Sequence, residues 1–114
     1  MTPHDAPSAA QLVESVREWL QHDVLASTEG RLQYHARVAI NALSIVEREL
    51  AVGAEQQAAH AERLRTLGVA DDAELSAAIR SGALDDRLEE VRDLVWQSVR
   101  DKLAVANPKY LSSP

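Results

Sequence analysis

The stretch RVAINALSIVEREL, Arg37 to Leu50, decides the fold. Val38, Ala39, Ala42, Leu43, Ile45, Val46 and Leu50 recur at helical spacing rather than in the alternation of a strand. Leu32 and His35 extend the pattern toward the N-terminus, and together these residues cover well over half of a helix circumference. A helix apolar on so much of its surface is central in a bundle or buried between copies. The spacing predicts a helix from about Arg31 to Val52, roughly 30 Å long, with Gly53 as its C-terminal stop. A polar line, Arg37, Asn41, Ser44 and Arg48, shares one face of it.

Working outward, S-A-A-Q at 8–11 has the form of a capping box. It opens a first helix that carries Leu12, Val13, Val16, Trp19, Leu20 and Val24 and ends near Ala26. Beyond Gly53, residues Ala54 to Leu67 read as a third, more polar helix at the periphery, stopped by Gly68. Asp71 or Asp72 caps a short fourth helix, Ala73 to Ser81, ended by Gly82. Asp85 or Asp86 caps a fifth, with Leu88, Val91, Leu94, Val95, Val99 and Leu103 as its buried stripe and Asn107-Pro108 as its end. The expected fold is all-α, a single-domain bundle of four to five helices with the first, second and fifth at its core. Residues 1–7 are expected to be a disordered arm, 8–107 the bundle and 108–114 a tail.

Composition narrows the function classes. There is no Cys, hence no disulfide framework, thiolate nucleophile or Cys-based metal site. The formal net charge is −6 and no basic run occurs, which argues against nucleic acid as a partner. No apolar run approaches the ~18 residues of a membrane span, and the N-terminus lacks a signal-peptide pattern. A soluble, cytoplasmic protein is expected, and the excess of Arg over Lys suggests a GC-rich bacterial genome.

Familiar chemistries find little support. His4, His22, His35 and His60 lie in separate segments, with no H-E-x-x-H and no E-x-x-H pair, so no metal site is expected. His35 reads as a core histidine; Glu49 shares its broad face but lies several turns away. Phosphate-binding Gly motifs are missing, so no nucleotide cofactor is expected. A Ser nucleophile lacks supporting local context. Helical ribonucleases of the HEPN type space an Arg and a His more widely than Arg31 and His35.

The segments YHARVAINALSIVEREL (34–50), AAIRSGALDD (77–86) and KLAVANPKY (102–110) resemble a bacterial domain family of unknown function. Its pattern is similar to F/Y-H-x-R-V-A-x-N-x-L-x-I-V-x-R-E-L, then I-R-x-G-x-L/F-D, then K-L-x-I/V-x-N-P-K/R-Y/F. The resemblance runs from about Ala9 to Tyr110, and its first block is the specific one. Matching positions are His35, Arg37, Asn41, Arg48, Glu49, Arg80, Gly82, Asp85, Asn107, Pro108 and Tyr110, with Tyr34 standing where Phe is usual. The resemblance implies no catalytic role for any of them. It does imply an association, because members are commonly encoded beside or fused to phosphotransferases of the aminoglycoside-kinase type, and near acyl-CoA dehydrogenases.

The expectation is therefore a non-catalytic accessory module whose partner is a phosphotransferase-like or acyl-CoA dehydrogenase protein, or a second copy of the chain. The alternative is a small helical ligand-binding protein or enzyme using Arg37, Asn41 and Arg48 toward an anionic substrate. A third reading is architectural, with His35, Arg48, Glu49, Arg80 and Asp85 joined in one buried network.

Overall fold

The computed structural model describes residues 6–112; residues 1–5, most of the expected N-terminal arm, and 113–114 lie outside them. Five α-helices make up the described chain, with no strand among the described residues. Helix α1 (Ala9–Trp19) continues into a π-helical stretch, Leu20–Val24. Helix α2 spans Gly30–Thr66, α3 Asp72–Ser81 and α4 Leu88–Ala106, while α5 (Lys109–Ser112) is a single turn in the expected tail. The chain groups into two compact units, Met1–Val52 and Gly53–Pro114, and α2 runs from one into the other.

The first unit is a helical hairpin. The expected capping box forms: Ser8 Oγ accepts from the Gln11 amide at 3.1 Å, and Gln11 Oε1 accepts from the Ser8 amide at 2.8 Å. In the turn, Thr28 Oγ1 donates to the Val24 carbonyl at 2.7 Å. Gln33 Nε2 donates to the carbonyls of Leu25 and Thr28, at 3.2 and 2.9 Å, so an amide in the first turn of α2 satisfies acceptors that the ending helix leaves open. Arg17 of α1 donates to Glu47 of α2, and this hydrogen bond is the main reason its guanidinium is held above its ordinary range. The facing sides carry Val13, Arg17, Leu20 and Val24 on one arm and Gln33, Ala36, Ile40, Leu43 and Glu47 on the other, all at least half-buried.

Two expectations fail along α1 and α2. Leu12, Val16 and Trp19 are exposed, and Ala36 is the one buried residue among those described here. Gly53 does not end α2, which continues for thirteen residues to Thr66; the positive-φ glycines are Gly30, Gly68 and Gly82. A glycine inside a helix costs about 1 kcal/mol relative to Ala. The run Ala54-Glu55-Gln56-Gln57-Ala58 after it consists of good helix formers, and they outweigh that cost.

The second unit holds the main hydrophobic core: Leu64, Leu67, Leu75, Leu84 and Val91, with Val69, Ala78 and Leu94 packed against it. The segment expected at the periphery thus supplies two of the core leucines, and the expected core of first, second and fifth helices is not the one found. Leu88, Val95 and Val99, expected in the buried stripe of the last long helix, are exposed.

Chain reversals set this core. At the end of α2 the Val69 amide donates to the Leu64 carbonyl and the Gly68 amide to Arg65, both at 3.0 Å, with Gly68 at φ +76°. This is the Schellman pattern. It recurs after α3, where Ala83 donates to Ala78 at 3.0 Å and Gly82 to Ile79 at 3.3 Å. Asp71 caps α3 through Oδ1, which accepts from the Glu74 amide at 2.8 Å. Asp85 and Asp86 make no such cap; they begin a 3-10 turn, Asp85–Arg87, that leads into α4.

Candidate functional site

The first motif block lies on α2 and is largely at the surface. Tyr34, His35, Arg37, Val38, Asn41 and Glu49 are exposed, whereas Ser44 and Arg48 are half-buried. Ser44 Oγ donates to the Ile40 carbonyl at 2.9 Å, a local back-bond along its own helix. His35 is therefore not a core histidine. Arg31 Nε donates to its Nε2 at 3.4 Å, and the Tyr34 ring meets it edge-on with centroids 5.6 Å apart. Tyr34, Arg37, Val38 and Asn41 follow one another at helical spacing, so they form one exposed patch on convex helix surface.

The second block is a corner. Gly82 sits at φ +83°, and a Cβ there would meet Asp85 Oδ2 at 3.0 Å. The corner directs Leu84 into the core, where it is 5% exposed. Asp85 is exposed and its amide donates to the Gly82 carbonyl at 3.2 Å. Arg80, also exposed, reaches Ser76 Oγ at 3.3 Å on its own helix. The third block is a helix stop. Asn107 closes α4, its amide donating to Leu103 at 2.8 Å, and its carbonyl accepts from Tyr110 at 3.1 Å. Tyr110 itself projects outward, 69% exposed.

Of the residues expected in one buried network, His35, Glu49, Arg80 and Asp85 are exposed and Arg48 is half-buried. The three blocks are an α2 surface patch, a glycine corner and a helix stop, each with its own local role.

A different constellation, which no spacing or motif in the sequence announces, joins α2, α3 and α4. His60 lies between Ser98, 2.7 Å from Nδ1, and Asp72, 2.8 Å from Nε2. Arg63 donates to Ser98 Oγ at 2.9 Å and to Asp101 Oδ2 at 3.1 Å. Gln56 Nε2 donates to the Asp101 carbonyl at 2.8 Å. Arg63 can only donate, so the Ser98 oxygen accepts from it and is free to give its own proton to His60 Nδ1. Nε2–H then points to the Asp72 carboxylate.

The order Ser, His, Asp invites comparison with an activated nucleophile. The surroundings do not equip it for acyl transfer. Ser98 is in the middle of α4, where backbone amides are spent on helix bonds and leave no oxyanion donors. The adjoining cleft, lined by His60, Arg63, Leu64, Leu67, Leu75, Leu94, Val95 and Ser98, has a volume of about 10 Å³, room for about one water. Ligand pockets run to several hundred Å³. The arrangement serves as a polar clamp across three helices. Among the described residues no group of three His, Asp or Glu side chains is placed to hold a metal ion, and no helix is long and apolar enough to cross a membrane.

A family model described as a domain of unknown function, DUF6285, matches residues 26–110. The match takes in α2 through the start of α5 and all three motif blocks, and it begins after α1, later than the expected Ala9. No curated protein and no solved structure matches the chain.

Proposed function

The chain belongs to the DUF6285 family, and we propose that it is a non-catalytic interaction module, accessory to a phosphotransferase-like enzyme of acyl-CoA or hydroxyacyl metabolism. The observation that carries this reading is the exposed patch of Tyr34, Arg37, Val38 and Asn41 on α2. Tyr and Arg are the residue types that dominate binding energy at protein interfaces, and Lys and Glu are depleted there. An aromatic ring, a guanidinium, an aliphatic side chain and an amide on one helix face give both apolar area and directional bonds. The kind of partner follows from the family resemblance of the motif blocks, whose members are encoded beside or fused to such kinases.

The test is co-expression of the tagged chain with a phosphotransferase-like protein encoded beside it, followed by mass and light-scattering analysis of what elutes. A stoichiometric complex is expected. Tyr34→Ala and Arg37→Glu should each weaken it at least tenfold, the range of an interface hot spot. Two separate species at micromolar concentration, or a complex indifferent to both substitutions, would remove the proposal.

A further inference from the structure

The hairpin leaves a second face bare, distinct from the Tyr34–Asn41 patch. Leu12, Val16 and Trp19 fall on one stripe of α1. On α2, Leu32, Val46 and Leu50 fall on another, with the half-buried Ala39 and the inner-face Leu43 along its border. The inner faces of the two arms are fixed by Arg17–Glu47 and by the bonds of Gln33 to the turn. Both helices are right-handed and run antiparallel. One stripe precedes the inner face of α1 by about 100°, and the other precedes that of α2 by a similar angle. Antiparallel direction reverses the sense of rotation, so both stripes open on the same side of the hairpin.

The exposures on that side are large: Trp19 is 56% exposed, Leu12 54%, Val16 49%, Leu32 68%, Leu50 48% and Val46 39%. With an open Trp presenting up to about 250 Å² and Leu and Val less, these six leave on the order of several hundred Å² of apolar surface bare. That is the upper end of what a monomer shows, and close to the ~800 Å² per partner of a standard interface once rim atoms are added.

We propose that this face is a homodimer interface, on which the hairpins of two copies pack into a four-helix bundle. The order of sizes along α2 suits a second copy. Leu32 and Leu50 lie at the two ends, with Ala39 and Leu43 equally spaced between them. A twofold axis in the plane of the face, across the helices, sets Leu32 of one copy against Leu50 of the other and Leu43 against Ala39. Large side chains then meet small ones near the axis, as a packed core requires. The proposal is independent of the partner-binding role, which uses the opposite side of α2.

Sedimentation equilibrium of the full chain tests it. A species of twice 12.5 kDa is expected at tens of micromolar. Leu50→Glu and Trp19→Glu should each raise the dissociation constant at least a hundredfold and leave the far-ultraviolet circular dichroism of the helices unchanged, since both residues are about half exposed in one copy. Tyr34→Ala and Trp96→Glu, on other surfaces, should leave the dimer intact. The chain has no native Cys, so a spin label on Ala42→Cys reports the approach of two copies without any charge substitution. A 12.5 kDa species up to several hundred micromolar, no dipolar coupling between labels, or dimers abolished by Trp96→Glu instead of Leu50→Glu would each overturn the proposal.

Discussion

At the scale of single residues, Leu84 and Gly82 carry more of the fold than their places in the chain suggest. Leu84 lies between two helices in the sequence, outside any periodic stripe, yet its side chain joins Leu64, Leu75 and Val91. Leu84→Ala should cost about 2–5 kcal/mol, as buried leucine truncations do, read from urea unfolding. Gly82→Ala should cost about 1–2 kcal/mol from the left-handed backbone alone, with the Asp85 carboxylate resisting the added methyl. The polar clamp gives a third case. Ser98→Ala leaves His60 Nδ1 and Arg63 without the oxygen they share, and about 1–3 kcal/mol of stability should go with it. An unaltered unfolding midpoint would show that the clamp is not structural. Hydrophobic periodicity cannot reveal such residues. Leu84 belongs to a turn, and His60, Asp72 and Ser98 are brought together only by packing of three helices.

At the scale of elements, the local signals were mostly legible. The capping box at Ser8, the Asp71 cap and the glycine stops at Gly68 and Gly82 all act within a few residues, so the sequence around them states the outcome. Gly53 misled because the same residue type is tolerated inside a helix when its neighbours favour one. Amide hydrogen exchange separates the two cases. The amides of residues 54–57 should be protected, because in a continuous α2 each has an acceptor four residues back; a helix starting at Ala54 would leave them to exchange rapidly. The exposed Arg87–Glu90 pair belongs to this scale too. Arg87 donates to both Glu90 oxygens, at 2.6 and 3.2 Å, and to the Thr66 carbonyl at the end of α2, at 2.9 Å. The hydrogen bond from Arg87, aided by its charge, holds the Glu90 carboxyl below the ordinary glutamate range. A depressed carboxyl stabilises the fold above its unfolded value, and that contribution is lost as pH falls through the folded one. Glu90→Gln should therefore lower the plateau at neutral pH slightly and flatten the fall on its acid side, leaving stability at low pH, where the carboxyl is protonated, little changed.

At the scale of the whole molecule, burial is sparse. Ala36, Leu64, Leu67, Leu75, Leu84 and Val91 are the buried apolar residues among those described, while both tryptophans are more than half exposed. Bulk composition announced a helical chain correctly, but it could not say which apolar stripes would stay open, since inner and outer stripes of α1 look alike in sequence. If copies pair through the hairpin, the melting temperature should rise with protein concentration, and it should cease to do so in Leu50→Glu. The sparse burial has a calorimetric consequence as well. The heat capacity increment of unfolding follows the apolar surface newly hydrated, about 12–15 cal/mol/K per residue in ordinary domains. A single copy with so little apolar surface to uncover should fall below that range. Its stability curve should be correspondingly shallow, with unfolding enthalpy varying little with temperature and with cold denaturation displaced far below freezing.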